Sequence, residues 1–145
     1  MSPQAVIIHE RQANWARQLR PRLPGAAIDW TESRSTASLV ESAGRSACPI
    51  VVLDLGDRPA RGLEDLDAFH RAAPVALSLV LDPRSAAEIA RLARELGATL
   101  VLSGVVVPPE VEALIRRWLP LARRRSEQAG WALATAAAPE PWDRI

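Results

Sequence analysis

The chain has 145 residues, of which 48% are hydrophobic and 24% charged, with a formal net charge of +1. That length suits one domain with an ordinary core, and the near-neutral balance argues against a dedicated nucleic-acid binder, which would need surplus basic charge for phosphate contacts. A single cysteine, Cys48, makes neither an internal disulfide nor a zinc cage, and because all 18 basic residues are Arg and Tyr is absent, chemistry that needs a lysine ammonium or a tyrosine phenol is excluded.

The first apolar run is Ala5 to His9. A helical pattern follows with Trp15, Ala16 and Leu19 on one face, and Pro21, Pro24 and Gly25 end it. A short second run covers Ala26 to Trp30. From Thr31 to Ser46, Ala37, Val40 and Ala43 recur at helical spacing. The third run, Pro49 to Asp54, is continuous and β-branched, as a central strand covered on both faces should be. Gly56, Pro59 and Gly62 mark a loop, and Leu63, Leu66, Phe69 and Ala73 step along a third helix.

The fourth run, Val75 to Leu81, closes with Asp82-Pro83, and Ser85 is placed to cap the next helix. Ile89, Leu92, Ala93 and Leu96 stripe that helix, and Gly97 ends it. The fifth run is Thr99 to Ser103, with Val105 to Val107 as an extension. Pro108 and Pro109 sit where a helix starts, and Val111, Leu114, Ile115 and Trp118 form its apolar face. Pro120 should then break the helix, leaving a second short helix from Leu121 to about Ala134 and a Pro- and Trp-containing tail.

Five strands alternating with five helices predict an α/β fold. The expected form is a doubly wound five-stranded parallel sheet with strand order 2-1-3-4-5 and helices on both faces. The body is expected over residues 1–119, and a C-terminal helical extension with its tail over 120–145. In such sheets the crevice lies at the carboxyl ends of the strands, where Glu10, Asp54 and Asp82 fall. Asp82, before Pro83, also reads as a turn or cap residue.

The order of these features, from about Ala5 to Leu119, resembles the receiver domain of bacterial response regulators, a flavodoxin-like fold. His9-Glu10 stands where the family places two acids after strand one. Asp54, in Val-Leu-Asp-Leu, stands where the family carries its phosphoryl-accepting aspartate. Pro59, Pro74-Val75 and Leu96-Gly97-Ala98 resemble the family's loops at those points.

The resemblance implies a carboxylate that attacks a phosphoryl donor with magnesium bridging the charges. Such a carboxylate is anionic at neutral pH and needs no base, but it does need charge stabilisation. His9 replaces one of the metal-binding acids, and imidazole is a poor magnesium ligand. Glu10 carries one methylene more than the usual Asp. Gly104 occupies the position of the family's lysine. Ser78 lies mid-strand, short of the position of the family's hydroxyl. Each missing charge contact costs two or more decades in rate.

The resulting expectation is a degenerate receiver, or pseudo-receiver, that signals by protein contact in the cytoplasm without efficient phosphorylation and without catalysis of its own. Cofactors are expected to be absent, with magnesium relevant only if Asp54 is phosphorylated. The alternatives are a working phosphoacceptor at Asp54, and a small α/β enzyme using Glu10 and Asp54 as a carboxylate crevice. No effector domain fits after Leu119, so output falls to the domain's own surface. In the family that surface is helix four, strand five and helix five. Here it would include Arg91, Arg94, Val106, Arg116 and Arg117, with Trp131 as an anchor. The partner would be a signalling protein or a second copy, not nucleic acid or membrane. No apolar run approaches the roughly 20 residues of a membrane span, and no basic-then-apolar leader opens the chain.

His9 and His70, the only histidines, have no partner at metal-ligand spacing. No Gly-x-Ser-x-Gly elbow or Gly-rich phosphate loop occurs. Arg123-Arg124-Arg125 reads as a solvated helix face.

Overall fold

A computed structural model describes residues 3–137. The elements run β1 (Gln4–His9), α1 (Trp15–Leu19), a 3₁₀ turn (Arg20–Arg22), β2 (Ile28–Ser33), α2 (Thr36–Ala43), β3 (Ile50–Asp54), α3 (Pro59–Ala72), β4 (Leu77–Asp82), α4 (Ala87–Glu95), β5 (Leu100–Ser103) and α5 (Pro108–Ala137). All strand pairs are parallel, in the order β2-β1-β3-β4-β5. The doubly wound sheet expected from the alternation is therefore the observed one.

Strand alternation sorts the core into two halves. Val6 and Ile8 of β1, Ile50 and Val52 of β3, and Leu77, Leu79 and Leu81 of β4 face the α1/α5 side, with Val111, Ile115 and Leu119. Ile7, Val51, Leu53 and Val80 face the other side, with Leu39, Leu66, Phe69 and Ala93. Each fully buried side chain of this size contributes about 1.5–3 kcal/mol. β1, β3 and β4 are apolar along both faces because helices cover both.

The same parity governs the strand ends. Glu10 continues the Val6-Ile8 row toward α1, and His9 continues the Ile7 row toward α3.

Five local expectations need correction. Pro59 to Gly62 are not loop but the first turn of α3, with Pro59 at the position where a missing N–H costs nothing. Thr31 to Ser33 belong to β2, not to the following helix, because they pair in register with Ile7 to His9. The helix begins instead after Ser35, whose hydroxyl accepts the Ser38 N–H. Ser85 does not cap α4. It sits at φ +55°, and the Asp82 carboxylate takes the Ala86 N–H instead. Val105 to Val107 do not extend β5, since Gly104 turns the chain at φ +85° and its N–H closes on the Asp82 carbonyl at 2.8 Å.

The last correction is Pro120, which does not break the helix: α5 runs through it to Ala137. Proline cannot donate to the carbonyl four residues back, a cost of about 3 kcal/mol. Pro120 lies on the exposed side, where water can serve the Arg116 carbonyl. Leu119 and Ala122, on either side of it, are buried in the core, and Leu121 packs against that core. Burial of this size offsets the penalty. The Arg123 and Arg125 guanidiniums also donate to the carbonyls of Ala27 and Val75. The solvated face expected for that arginine run is therefore partly a clamp on the body.

Candidate functional site

The carboxyl ends of β1 and β3 lie side by side, with His9 in register with Leu53. Asp54 ends the central strand and is half-buried. Its Oδ1 accepts the Gly56 N–H at 2.9 Å, a tight turn that Gly56 permits at φ +58°. This is the strand end at which the resemblance to receivers implies an acceptor carboxylate.

Glu10 is only 5% exposed, and its carboxylate is already engaged. Oε1 accepts the N–H groups of Asn14 and Ala16 at 2.9 and 3.2 Å, and Oε2 accepts that of Trp15 at 2.9 Å. Asn14 provides no side-chain cap for α1, so Glu10 satisfies the helix's orphan donors from outside. The extra methylene relative to Asp lengthens its reach.

His9 is buried too, and both ring nitrogens have partners. Nε2 lies 2.8 Å from Asp65 Oδ2, and Nδ1 lies 2.7 Å from Ser33 Oγ. A carboxylate can only accept, so Nε2 carries the hydrogen toward Asp65. Thr36 Oγ1 donates to the other Asp65 oxygen. Sequence reasoning missed Asp65 and Ser33. Asp65 lies on the inner face of α3, one residue from the apolar stripe, and only the β1 parity that turns His9 toward α3 could have paired them. The Ser33-His9-Asp65 chain has the composition of a hydrolytic triad. Ser33, however, is 2% exposed at the end of an edge strand, and no substrate reaches its hydroxyl.

Gly104 follows β5 with open space where a side chain would project, and glycine itself supplies no cation. Ser78 pairs with Val51, three positions before Asp54 meets Leu81. Its hydroxyl lies 2.8 Å from His70 Nε2 and accepts the Thr99 N–H. It therefore serves the opposite end of β4. Asp82 is buried and bonded to the α4 entry, the turn-and-cap role open to it from sequence.

The magnesium that the resemblance implies does not fit this donor set. Glu10 spends its oxygens on three N–H groups and His9 points at Asp65. Among the described residues no three His, Cys, Asp or Glu side chains gather as a metal site.

What sequence reasoning did not foresee is the arginine content of the crevice. Arg11, Arg34, Arg58 and Arg61 line a cavity of about 80 Å³ together with His9, Glu10, Asp54 and Asp65. An open basin of about 830 Å³ adjoins it on the α1 side, over Asn14, Gly56 and Asp57. The arginines singled out from sequence lie elsewhere. Arg91 pairs with Glu88 and Glu95 along α4, and Arg116 pairs with Glu112 along α5. Arg94 and Arg117 are exposed, Val106 is half-buried against the core, and Val105 is 97% exposed beside it. Trp131 lies on α5, but its side chain, like Trp142 and the tail, is outside the described residues. No described helix is long and apolar enough to cross a membrane.

No protein-family model matches the chain, and no curated protein matches it. Solved structures do. A CheY-like response regulator receiver domain protein from Methanospirillum hungatei superposes with a TM-score of 0.71 at 13% identity, covering 85% of this chain and 98% of that one. A response regulator protein from Burkholderia pseudomallei, solved with a phosphorylated aspartic acid, calcium ion and citrate, gives 0.64 at 17% identity, over 92% and 73%. An adenylate cyclase structure from Rhodopirellula baltica also gives 0.64, at 12% identity, over 92% and 95%. The fold is thus that of response-regulator receivers, as the resemblance implies, and it is shared by a protein with another name.

Proposed function

We propose that this chain is a receiver-fold signalling module that acts by protein contact, with Asp54 retained as a structural residue and not as an efficient phosphoryl acceptor. The observation that carries this reading is the engagement of Glu10. Its carboxylate holds three backbone N–H groups of the α1 entry, so using it for a metal would uncap the helix. His9 is held by Asp65 and Ser33, and Gly104 offers no cation. The same engagement weighs against an enzyme working through Glu10 and Asp54, because a general acid or base needs an oxygen free to reach substrate.

Output then falls to the surface around α4, β5 and α5. Arg94, Arg117 and the exposed Val105 and Val107 are its sticky features, a mixture of guanidinium and apolar groups suited to a protein partner or a second copy in the cytoplasm. Arg91 and Arg116 contribute less, since neighbouring glutamates already neutralise them.

The test is incubation with acetyl phosphate and magnesium. Mass spectrometry should find the chain essentially unmodified. A gain of one phosphoryl group that disappears in Asp54→Ala would replace this reading with that of a working phosphoacceptor.

A further inference from the structure

At the amino ends of β1 and β2, the opposite end of the strands from Asp54, lies a cavity of about 570 Å³. Cavities of about 300–1,000 Å³ are those that hold small organic molecules. Ala5 pairs with Asp29 and Ile7 with Thr31, so these four side chains share the α2 face of the sheet and form one wall. Ser42 and Ser46, at the end of α2 and just past it, form the second. Arg123, Ser126 and Glu127, spaced i, i+3 and i+4 on α5, close the third.

Two polar side chains more than nine-tenths buried line it, Gln4 at 4% and Ser42 at 8% exposed. Gln4 Nε2 donates to the carbonyls of Ala5 and Cys48 at 3.0 and 2.8 Å, and because a carbonyl only accepts, these two bonds fix which way the carboxamide is turned. Its Oε1 accepts from no described residue, and the Ser42 hydroxyl is bonded to none. Neither atom is sealed: among the described residues Arg123 Nε is the one side-chain polar atom both sealed and unpaired. The open space that the two atoms face is the cavity they line. Buried polar groups are almost always paired, so this acceptor and this hydroxyl call for partners from outside the chain.

The charges around them cancel. Asp29 and Glu127 contribute two carboxylates, and Arg45 and Arg123 two guanidiniums. Arg45 is paired with Glu41 of α2, and Arg123 Nη2 donates to the Ala27 carbonyl at 3.2 Å. An ion of either sign in the cavity meets attraction and repulsion of similar size. A neutral molecule rich in hydroxyls meets no such conflict. Thr31, Ser46 and Ser126 add three more hydroxyls, each able to donate and accept as a ligand hydroxyl does. Ala5 and Ile7 supply an apolar floor for its C–H groups.

We propose that this cavity binds a small neutral polyol of monosaccharide size, with Gln4 Oε1 and the Ser42 hydroxyl as the fixed contacts at its base. The carboxylates and guanidiniums at the rim then serve as acceptors and donors toward neighbouring ligand hydroxyls, not as partners for an ion. A ligand seated there touches β2, the end of α2 and α5 at once, and so ties the base of the helical extension to the sheet. The site shares no residue with the crevice around Asp54. It stands whether or not Asp54 accepts a phosphoryl group, and whichever surface carries the protein contacts.

The experiment is amide NMR of the full-length chain, titrated separately with glucose, ribose, inositol and glycerol, and with putrescine and inorganic phosphate as charged probes at constant ionic strength. At least one neutral polyol should give saturable shifts centred on Ala5, Asp29, Thr31, Ser46 and Glu127. Thr31→Val/Ser126→Ala, both partly exposed and outside the core clusters, should weaken that binding about tenfold while the rest of the spectrum stays in place. Ser46→Ala/Ser126→Ala, which leaves the strands untouched, should do the same. Linear shifts with all four polyols would overturn the proposal. Saturation by putrescine or phosphate alone would overturn it too, by making the ligand an ion. So would saturable shifts confined to Gly56 and Asp57, which would place binding in the other crevice, or full affinity in either double variant.

Discussion

His9 Nε2 lies 2.8 Å from Asp65 Oδ2, with the imidazole and the carboxylate both almost wholly buried. This pair ties the end of β1 to the middle of α3, and Ser33 and Thr36 tie β2 and α2 to the same point. At the end of β1, His9 is thus a structural joint between the sheet and α3.

Removing one member of that joint leaves buried polar groups unpaired. Asp65→Leu strands His9 Nε2 and the Thr36 hydroxyl and should cost about 2–4 kcal/mol. His9→Leu/Asp65→Leu, which removes both, should cost less than the sum of the two single changes. Urea denaturation of the four proteins gives the coupling, and strict additivity would show that the pair acts independently.

How far the sequence reveals this site depends on the distance over which each interaction acts. Strand order and the position of Asp54 follow from apolar runs and short connections, which are local signals. The role of Glu10 was hidden because a cap four to six residues away leaves no periodic trace. The partnership of His9 with Asp65 spans 56 residues and depends on which face of β1 meets α3. The arginine-lined crevice escapes sequence reasoning for the same reason: the resemblance points to Arg91, Arg94, Arg116 and Arg117, whereas the cavity draws on Arg11, Arg34, Arg58 and Arg61 from four separate stretches of chain. Pro120 misled because its local cost is visible in sequence and the compensating burial of Leu119 and Ala122 is not.

Gly62 sets the approach of α3 to the end of β3. A Cβ there would stand 2.4 Å from Leu55 Cδ2 and 3.4 Å from Leu55 Cα. Helix propensity favours Ala over Gly by about 1 kcal/mol. Overpacking costs about 1–3 kcal/mol, and Leu55, 2% exposed, has little room to yield. The clash should win. Gly62→Ala is expected to lower the denaturation midpoint, and adding Leu55→Ala should recover part of the helix-propensity gain, as a double-mutant comparison in urea would show.

Burial lowers the His70 pKa from its ordinary 6.5. Its Nε2 faces Ser78 Oγ at 2.8 Å, its ring meets Phe69 edge-on at 5.2 Å, and the Gly97 backbone lies against it. The folded state thus binds a proton less readily than the unfolded chain. Stability should be fully present above about pH 6.5 and should decline as pH falls from there toward the lowered folded value. His70→Gln removes that titration, so stability measured between neutral and mildly acidic pH should slope less steeply than in the parent. An unchanged slope would place the acid sensitivity elsewhere.

The last prediction concerns where α5 stops being part of the body. The expected division at Leu119 falls inside a helix whose next turn is structural: Ala122 is fully buried, Arg123 donates to the Ala27 carbonyl at 3.2 Å, and Arg125 donates to that of Val75 at 3.0 Å. Cutting after Leu119 should therefore cost about 2–3 kcal/mol from lost apolar burial and unmade hydrogen bonds. Cutting after Ala129 keeps these contacts and should leave the urea midpoint within experimental error of the full chain. If residues beyond that point carry self-association, with Trp131 as the anchor, the shorter cut should weaken it in sedimentation while stability holds, and Trp131→Ala in the full chain should do the same. Equal sedimentation of all three proteins would make the extension a passive continuation of the helix and return the whole contact function to α4, β5 and the first half of α5.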